Sequence, residues 1–317
     1  MTSRIIFIGA GDANAAGFEA KARADFPGID LFATDDRAAA LQAAAGAEAL
    51  IGHHYQFDDE LLSAARQLRW IQSLTTGTDA ILKLKSLRPE VTVTSTRGMH
   101  GPQMSELVFL QMLALLRDFP RMQRNQAAHL WERRPQPLLS GKTIVIVGVG
   151  AISEALAPRC KAFDMRVYGV SESPRQPAGF DRIFRRADMQ QAAAAADFLV
   201  LIVPHSPRTE KLIDAPVLAA MKSNAYLINV ARGGVLDEDA LLAALRNKQI
   251  AGAALDVFRQ SPLPKDHPLW DEPRVIITPH IGGMSDIYLE QAYPLVRENM
   301  RAFLSGAMSA MNNVVPH

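Results

Sequence analysis

Four apolar runs in the second half of this 317-residue chain end on residues that can do chemistry. Pro204-His205 follows one run and Asn229-Val230-Ala231-Arg232-Gly233-Gly234 closes the next. Asp256 comes near the end of a third, and Thr278-Pro279-His280 ends the last. Arg232 is a permanent, forked cation able to hold a carboxylate and polarise a carbonyl beside it. His280 can give or take a proton near neutral pH, where imidazole titrates. Together they suit a reaction in which a carbonyl oxygen next to a carboxylate gains negative charge and then a proton. Each residue also has a plainer reading. An arginine before two glycines can cap a turn, a histidine after Thr-Pro can be structural, and Asp256 can cap the turn that follows it. Their recurrence at successive run ends favours a shared site, because open α/β sheets bind ligands outside the carboxyl ends of their strands. The first half ends its runs with less chemistry, chiefly His53-His54 and 73–77, and the two histidines read as surface or core.

A candidate cofactor turn lies just upstream. Ile144-Val145-Ile146-Val147 runs into Gly148-Val149-Gly150 and then Ala151-Ile152-Ser153, a strand turning through glycines into a helix. Such glycines allow a tight turn and let free N–H groups at the helix start approach a pyrophosphate. Ser153 takes the place of the third glycine, which strains close helix–strand packing. About twenty residues on, Ser171-Glu172-Ser173 offers an acidic group for an adenosine ribose. A second turn, Gly9-Ala10-Gly11 after Ile5–Ile8, has its own downstream acid in Asp35. Spacing barely separates the two turns; the residues downstream of 148–153 favour that one. Pro158 falls inside the following helix, where a missing N–H predicts a local kink.

Elements of two sheets position these residues. Strand candidates in the first hundred residues are Ile5–Ile8, Leu31–Ala33, Ala49–Ile51, Trp70–Ser73 and Val91–Thr94, with helices over Gly17–Asp25, Arg37–Ala45 and Asp58–Arg66. Met104–Leu116 is apolar on nearly every face and predicts a helix buried all round, between domains or in a dimer contact. The polar stretch Arg121–Pro137 reads as a surface wrap. Six further strands, Thr143–Val147, Arg166–Val170, Phe198–Val203, Ala225–Val230, Gly252–Val257 and Arg274–Thr278, make the count of a dinucleotide-binding sheet. The helix Asp286–Leu304 follows that sheet and is expected to return to the first domain. The fold class is therefore α/β with two doubly wound parallel sheets. A Rossmann-type nucleotide domain over 100–286 is inserted into a flavodoxin-like substrate domain, 1–99 plus 287–317.

Composition narrows the partners. Hydrophobic residues make up 48% and charged residues 21%, the profile of a globular chain, and a net charge of +1 gives no pull toward nucleic acid or an anionic membrane. The single cysteine, Cys160, excludes an internal disulfide and disfavours a multi-cysteine metal site. Ile5–Ile8 is too short for a secretory core, and the apolar stretch Ala192–Val203 is interrupted by Asp197. A cytoplasmic location without a metal is the expectation.

VGVGAISEALAPRCKAFDM (147–165), LIVPHSPRTEKLI (201–213), NVARGGVLDEDALLAAL (229–245), GAALDVF (252–258), PLW and ITPHIGG form an ordered set. It resembles the D-isomer-specific 2-hydroxyacid dehydrogenases, nearest their glyoxylate/hydroxypyruvate reductase branch. WIQSLTTGTDAI (70–81) and 101–122 extend the likeness more faintly. The resemblance implies hydride transfer between a nicotinamide cofactor and a small 2-keto or 2-hydroxy acid. It implies Arg232 as the substrate-binding cation, His280 as acid/base, and Thr76 and Gly77 as N–H donors to the substrate carboxylate. Asp256 would lie by the nicotinamide carboxamide, with Val203, Pro204, Thr209, Val230 and Gly282 near the cofactor and a homodimer as the assembly. Ser261 stands where the family carries the glutamate that pairs with the catalytic histidine. That departure predicts reduction that loses rate at lower pH than in relatives, or, as the alternative, an NAD(H)-sensing interaction protein. Glu172 would repel a 2′-phosphate and favours NAD, while Arg175 leaves NADP open. Met99, Trp131, Met284 and Tyr288 are candidates to shape the pocket.

Overall fold

In a computed structural model, residues 3–173 and 175–317 are described. The chain divides into two compact units: one runs to Met99 and resumes at Met284, the other is His100–Gly283.

The first unit carries β1 (Ile5–Ile8), β2 (Leu31–Thr34), β3 (Ala49–Gly52), β4 (Trp70–Ser73) and β5 (Thr92–Thr94). They are parallel, in the order β2-β1-β3-β4-β5. Every residue of β1, β3 and β4 is buried. That is why these strands read as unbroken apolar runs instead of alternating: a parallel sheet is covered on both faces. On one face Phe7 stacks on Phe18 at 3.8 Å between ring centroids. The helix Tyr288–Leu304 closes this face with Leu289, Ala292, Val296, Met300 and Phe303, the stripe expected of its period. A buried polar link fixes its register. Asn299 donates to Gln72 Oε1 at 2.8 Å, the Thr94 hydroxyl donates to the same oxygen at 2.8 Å, and Trp70 Nε1 donates to Thr94 Oγ1 at 2.8 Å.

The second unit carries β6 (Thr143–Val147), β7 (Arg166–Val170), β8 (Arg182–Phe184), β9 (Phe198–Leu201), β10 (Tyr226–Asn229), β11 (Gly252–Leu255) and β12 (Val275–Ile277). The order is β12-β11-β10-β9-β6-β7-β8. The sheet thus has seven strands, not the six expected. The extra one, β8, has only three residues and follows a Pro- and Gly-containing stretch, too short for a periodicity signal. Two other expectations change. The helix Gly101–Arg117 buries Met104, Leu107, Val108, Met112, Leu115 and Leu116, but Leu110 and Leu113 face out, so it is not covered all round by its own chain. The polar stretch begins as a helix, Phe119–Ala127, since alternating charge and amide residues are compatible with an exposed helix on Pro120 at its start.

Candidate active site

Strand order reverses between β6 and β9, and a doubly wound sheet opens a crevice at such a point. Gly148 leaves β6 there with φ of 105°, and a Cβ on it would lie 2.8 Å from the backbone of Val203 at the exit of β9. Only glycine fits both the dihedral and the approach. Gly150 is the N-cap of the helix Ala151–Ala162, and nothing lies within 4 Å of where its Cβ would be. Ser153 occupies the third-glycine position, buried, and its hydroxyl serves the turn: it accepts from Gly150 N–H at 2.7 Å and donates to Gly150 carbonyl at 2.8 Å. The N-cap position supplies no side-chain hydrogen bond to the helix start, and the space where a Gly150 side chain would stand is open. This cradle fits a dinucleotide pyrophosphate. The helix continues through Pro158 to Ala162.

The rival turn of the first unit is filled from within. Asp35 Oδ1 accepts from Ala15 N–H at 2.8 Å, at the start of the helix, and a Cβ on Gly9 would overlap that carboxylate. Gln56 Nε2, just beyond β3, donates to Gly9 carbonyl at 2.9 Å, so a second internal side chain occupies this turn. An internal carboxylate has taken the anion's place.

Arg232 follows β10 in extended conformation, half-buried, with Nη1 donating to Ala231 carbonyl at 2.7 Å. The buried Asn229 shapes the turn: its Oδ1 accepts from Ala231 N–H at 3.0 Å and its Nδ2 donates to Arg232 carbonyl at 3.2 Å. Gly233 is pressed onto the Phe258–Arg259 backbone so closely that any Cβ would overlap it.

Asp256, 1% exposed, organises the other side. Its Oδ1 accepts from the Thr278 hydroxyl at 2.6 Å and Ile281 N–H at 3.0 Å, and its Oδ2 from Gly282 N–H at 3.0 Å. Those bonds hold His280 at φ of 57°, a left-handed value a non-glycine residue adopts only when its surroundings impose it. Gly282 is packed under the turn, where a Cβ would lie 2.8 Å from Leu107. Although His280 as a whole is exposed, enough protein surrounds its ring for desolvation to hold the pKa below 6.5. Asp256 pulls that value up and Arg232 pushes it further down. One imidazole therefore feels both groups, the cation and the buried carboxylate.

Other expected residues are more dispersed. Ser261 is exposed before the cis Pro262, and no hydrogen bond joins it to His280. Val203 and Val230 are buried at the exits of β9 and β10, with Pro204 exposed. Thr209 is buried, and its hydroxyl donates to Pro204 carbonyl at 2.8 Å within its own loop. Beyond β7, Ser171 Oγ accepts from Ser173 N–H at 3.0 Å and Glu172 pairs with Arg186 at 3.2 Å. Arg175 is drawn to Glu154 at 2.5 Å. Thr76 and Gly77 lie in the first unit, in the loop after β4, where Thr75 Oγ1 donates to Gly77 carbonyl at 2.9 Å. His54 Nδ1 lies 3.1 Å from the same hydroxyl. Tyr288, buried, donates from its hydroxyl to Leu74 carbonyl. Met284 and Trp131 are exposed. Two features had no sequence signal: the Asp35 plug, and the pairing of His205 with Glu210.

Residues 109–282 match the D-isomer specific 2-hydroxyacid dehydrogenase family, NAD binding domain. The chain is 31% identical over 259 residues to glyoxylate/hydroxypyruvate reductase A of Yersinia enterocolitica, covering 80% of this chain and 82% of that protein. A D-isomer specific 2-hydroxyacid dehydrogenase family protein from Aeromonas salmonicida superposes with a TM-score of 0.90 at 33% identity, over 99% of each chain. The NADPH-dependent glyoxylate/hydroxypyruvate reductase of Sinorhizobium meliloti, solved with NADP and sulfate, gives 0.85 at 27% identity over 99% of this chain and 98% of that one. With a cradle for a dinucleotide and two parallel α/β units of this kind, the chain belongs to the D-isomer specific 2-hydroxyacid dehydrogenase family of NAD(P)-dependent oxidoreductases.

Proposed function

We propose that the chain reduces a short 2-keto acid, glyoxylate, hydroxypyruvate or a close homologue, to the 2-hydroxy acid, with the second unit holding the nucleotide and the first contributing to substrate binding. The observation that carries this reading is that Arg232, after β10, and His280, beyond β12, stand at the carboxyl ends of the same parallel sheet as the pyrophosphate cradle after β6, with Arg232 near enough to act on His280. The Arg232 guanidinium binds the substrate carboxylate and polarises the 2-carbonyl, and the N–H groups of Thr76 and Gly77 take the other carboxylate oxygen. When bound, the dihydronicotinamide supplies a hydride to C2. His280 Nε2–H or Nδ1–H delivers the proton to the developing alkoxide, leaving a neutral imidazole that solvent reprotonates. Asp256 keeps the 278–282 turn in place, and Ser261 contributes no charge. Gly148, Gly150, Ala151 and Ile152 hold the pyrophosphate, Val203, Pro204, Thr209, Val230 and Gly282 line the nucleotide side, and Ser171 and Glu172 meet the adenosine ribose.

NAD is the preferred cofactor in this reading, because Glu172 stands at the end of β7 and Arg175 is engaged by Glu154. A second copy of the chain covers the apolar edge of the helix Gly101–Arg117, giving a homodimer. The test is a panel of 2-keto acids with NADH and with NADPH, repeated with Arg232→Ala and His280→Ala. The expected result is a lower KM for NADH than for NADPH. Arg232→Ala should raise the KM for the keto acid, and His280→Ala should lower kcat by about 10²–10⁴-fold. NADH binding without turnover of any 2-keto acid would replace the enzyme by a nucleotide-sensing interaction protein of the same fold. The Ser261 position is the observation that keeps that second reading in view.

A further inference from the structure

His205 Nε2 donates to the Glu210 carboxylate, a pair that has no part in the chemistry above. Both residues stand on the segment that leaves β9. Thr209 folds this segment back on itself, its hydroxyl donating to Pro204 carbonyl at 2.8 Å and accepting from Ser206 N–H at 2.7 Å, and so brings position 210 over position 205. The chain then runs along the arginine turn: Lys211 N–H donates to Gly234 carbonyl at 2.7 Å and Ile213 N–H to Val235 carbonyl at 3.0 Å. The Nε2–Cδ2 edge of the His205 ring comes close to that turn at Gly234. A Cβ on Gly234 would sit 2.6 Å from His205 Nε2 and 3.0 Å from the Glu210 carboxylate. One residue earlier, Gly233 meets the Phe258–Arg259 backbone with no room for a side chain. The two residues after Arg232 are thus each pressed against a neighbour. One neighbour is backbone beyond β11. The other is an imidazole whose orientation is set by a carboxylate five residues along.

We infer that His205 and Glu210 are positioning residues for Arg232. The pair fixes the turn that presents the guanidinium, and through it sets the affinity for the substrate carboxylate without touching substrate. The physical basis is that a ring hydrogen-bonded to a carboxylate has a fixed orientation, and that an Arg clamp displaced by about 1 Å can cost on the order of 10²-fold in rate. The inference rests on the role proposed above for Arg232, so the experiment separates the two.

The whole enzyme is assayed for reduction of its best 2-keto acid with NADH as wild type, His205→Ala, Glu210→Ala, Glu210→Gln, Arg232→Lys, and Arg232→Lys with Glu210→Ala. NADH affinity by fluorescence titration and thermal midpoint are followed in each. His205→Ala and Glu210→Ala should each lower kcat/KM for the keto acid about tenfold, with NADH affinity and thermal midpoint little changed. Glu210→Gln, whose amide oxygen can still accept from the ring, should recover most of the loss. In the Arg232→Lys background Glu210→Ala should add nothing. Additive losses in the double variant, or a fall in NADH affinity equal to that for the keto acid, would show the pair to be general scaffolding and overturn the inference. If Arg232→Lys alone leaves the KM unchanged, the role of Arg232 fails first and the inference with it. Should His205→Ala not fold, the two Glu210 variants decide.

Discussion

His280 carries opposing influences on one ring. Desolvation lowers its pKa below 6.5, Asp256 raises it and Arg232 lowers it again, with the net shift downward. Proton delivery to an alkoxide needs the charged ring, so kcat/KM for reduction should be highest in acid. It should fall about tenfold per pH unit once the pH exceeds a value under 6.5. Oxidation of the hydroxy acid needs the neutral ring and should rise through the same window. Stopped-time assays in both directions from pH 5 to 9 give the two limbs, and a reduction rate that stays level to pH 8 would contradict the assignment. His53 makes a comparable case for stability. Burial, with the charge of His54 adding to it, lowers its pKa to about 4. From pH 6.5 down to 4 the unfolded chain binds a proton that the folded chain refuses, so stability is lost as pH falls and is untouched above 7. The effect is roughly 1–3 kcal/mol. The urea midpoint of wild type should therefore drop more between pH 7.5 and 4.5 than that of His53→Gln.

Turns and strands divide differently between what a sequence states and what it hides. Parallel strands such as β1, β6 and β9 declare themselves as apolar runs because both faces are covered, and Gly148 marks its turn because no other residue fits it. The choice between the turns at 9–11 and 148–153 is less legible. It depends on a carboxylate, Asp35, that folding delivers from twenty residues away onto Ala15. Asp256 was visible as a polar residue at a strand end. Its three hydrogen bonds into 278–282 were not, since they join segments 22 to 26 residues apart. The glycine cradle yields a sharp contrast. Gly148→Ala forces a Cβ into the Val203 backbone from a positive φ and should lower the thermal midpoint by several degrees. Gly150→Ala meets open space at an extended φ, so the fold should keep its midpoint. Its methyl group would nonetheless fill the open space that the proposed pyrophosphate site needs. NADH affinity should fall about tenfold or more while stability holds, and a variant that binds NADH as wild type does would remove the pyrophosphate from that position.

Viewed as one chain, the surface is uneven in a way the composition conceals. Among the described residues no helix is long and apolar enough to cross a membrane, and a net charge of +1 sets up little repulsion between copies. Yet within the second unit Leu110 is 58% exposed, Trp131 91% and Leu138 59%, with Phe119 and Leu113 also outward. The sequence showed Met104–Leu116 as apolar on nearly every face; within its unit the helix buries one side and leaves Leu110 and Leu113 exposed. Exposed apolar side chains of this kind are where the proposed homodimer would meet. A second copy meets them most simply, because a two-fold axis lets one patch cover itself. A stable contact of this type removes about 800 Å² from each partner, far more than one helix edge supplies, so in the proposed dimer exposed residues such as Phe119, Trp131 and Leu138 would have to share in it. Leu110→Glu with Leu113→Glu would place two charges at its centre and should halve the mass measured by sedimentation, with the NADH site in each chain still able to bind. A doubly substituted chain that sediments as wild type does would move the interface elsewhere and leave Leu110 and Leu113 without a partner.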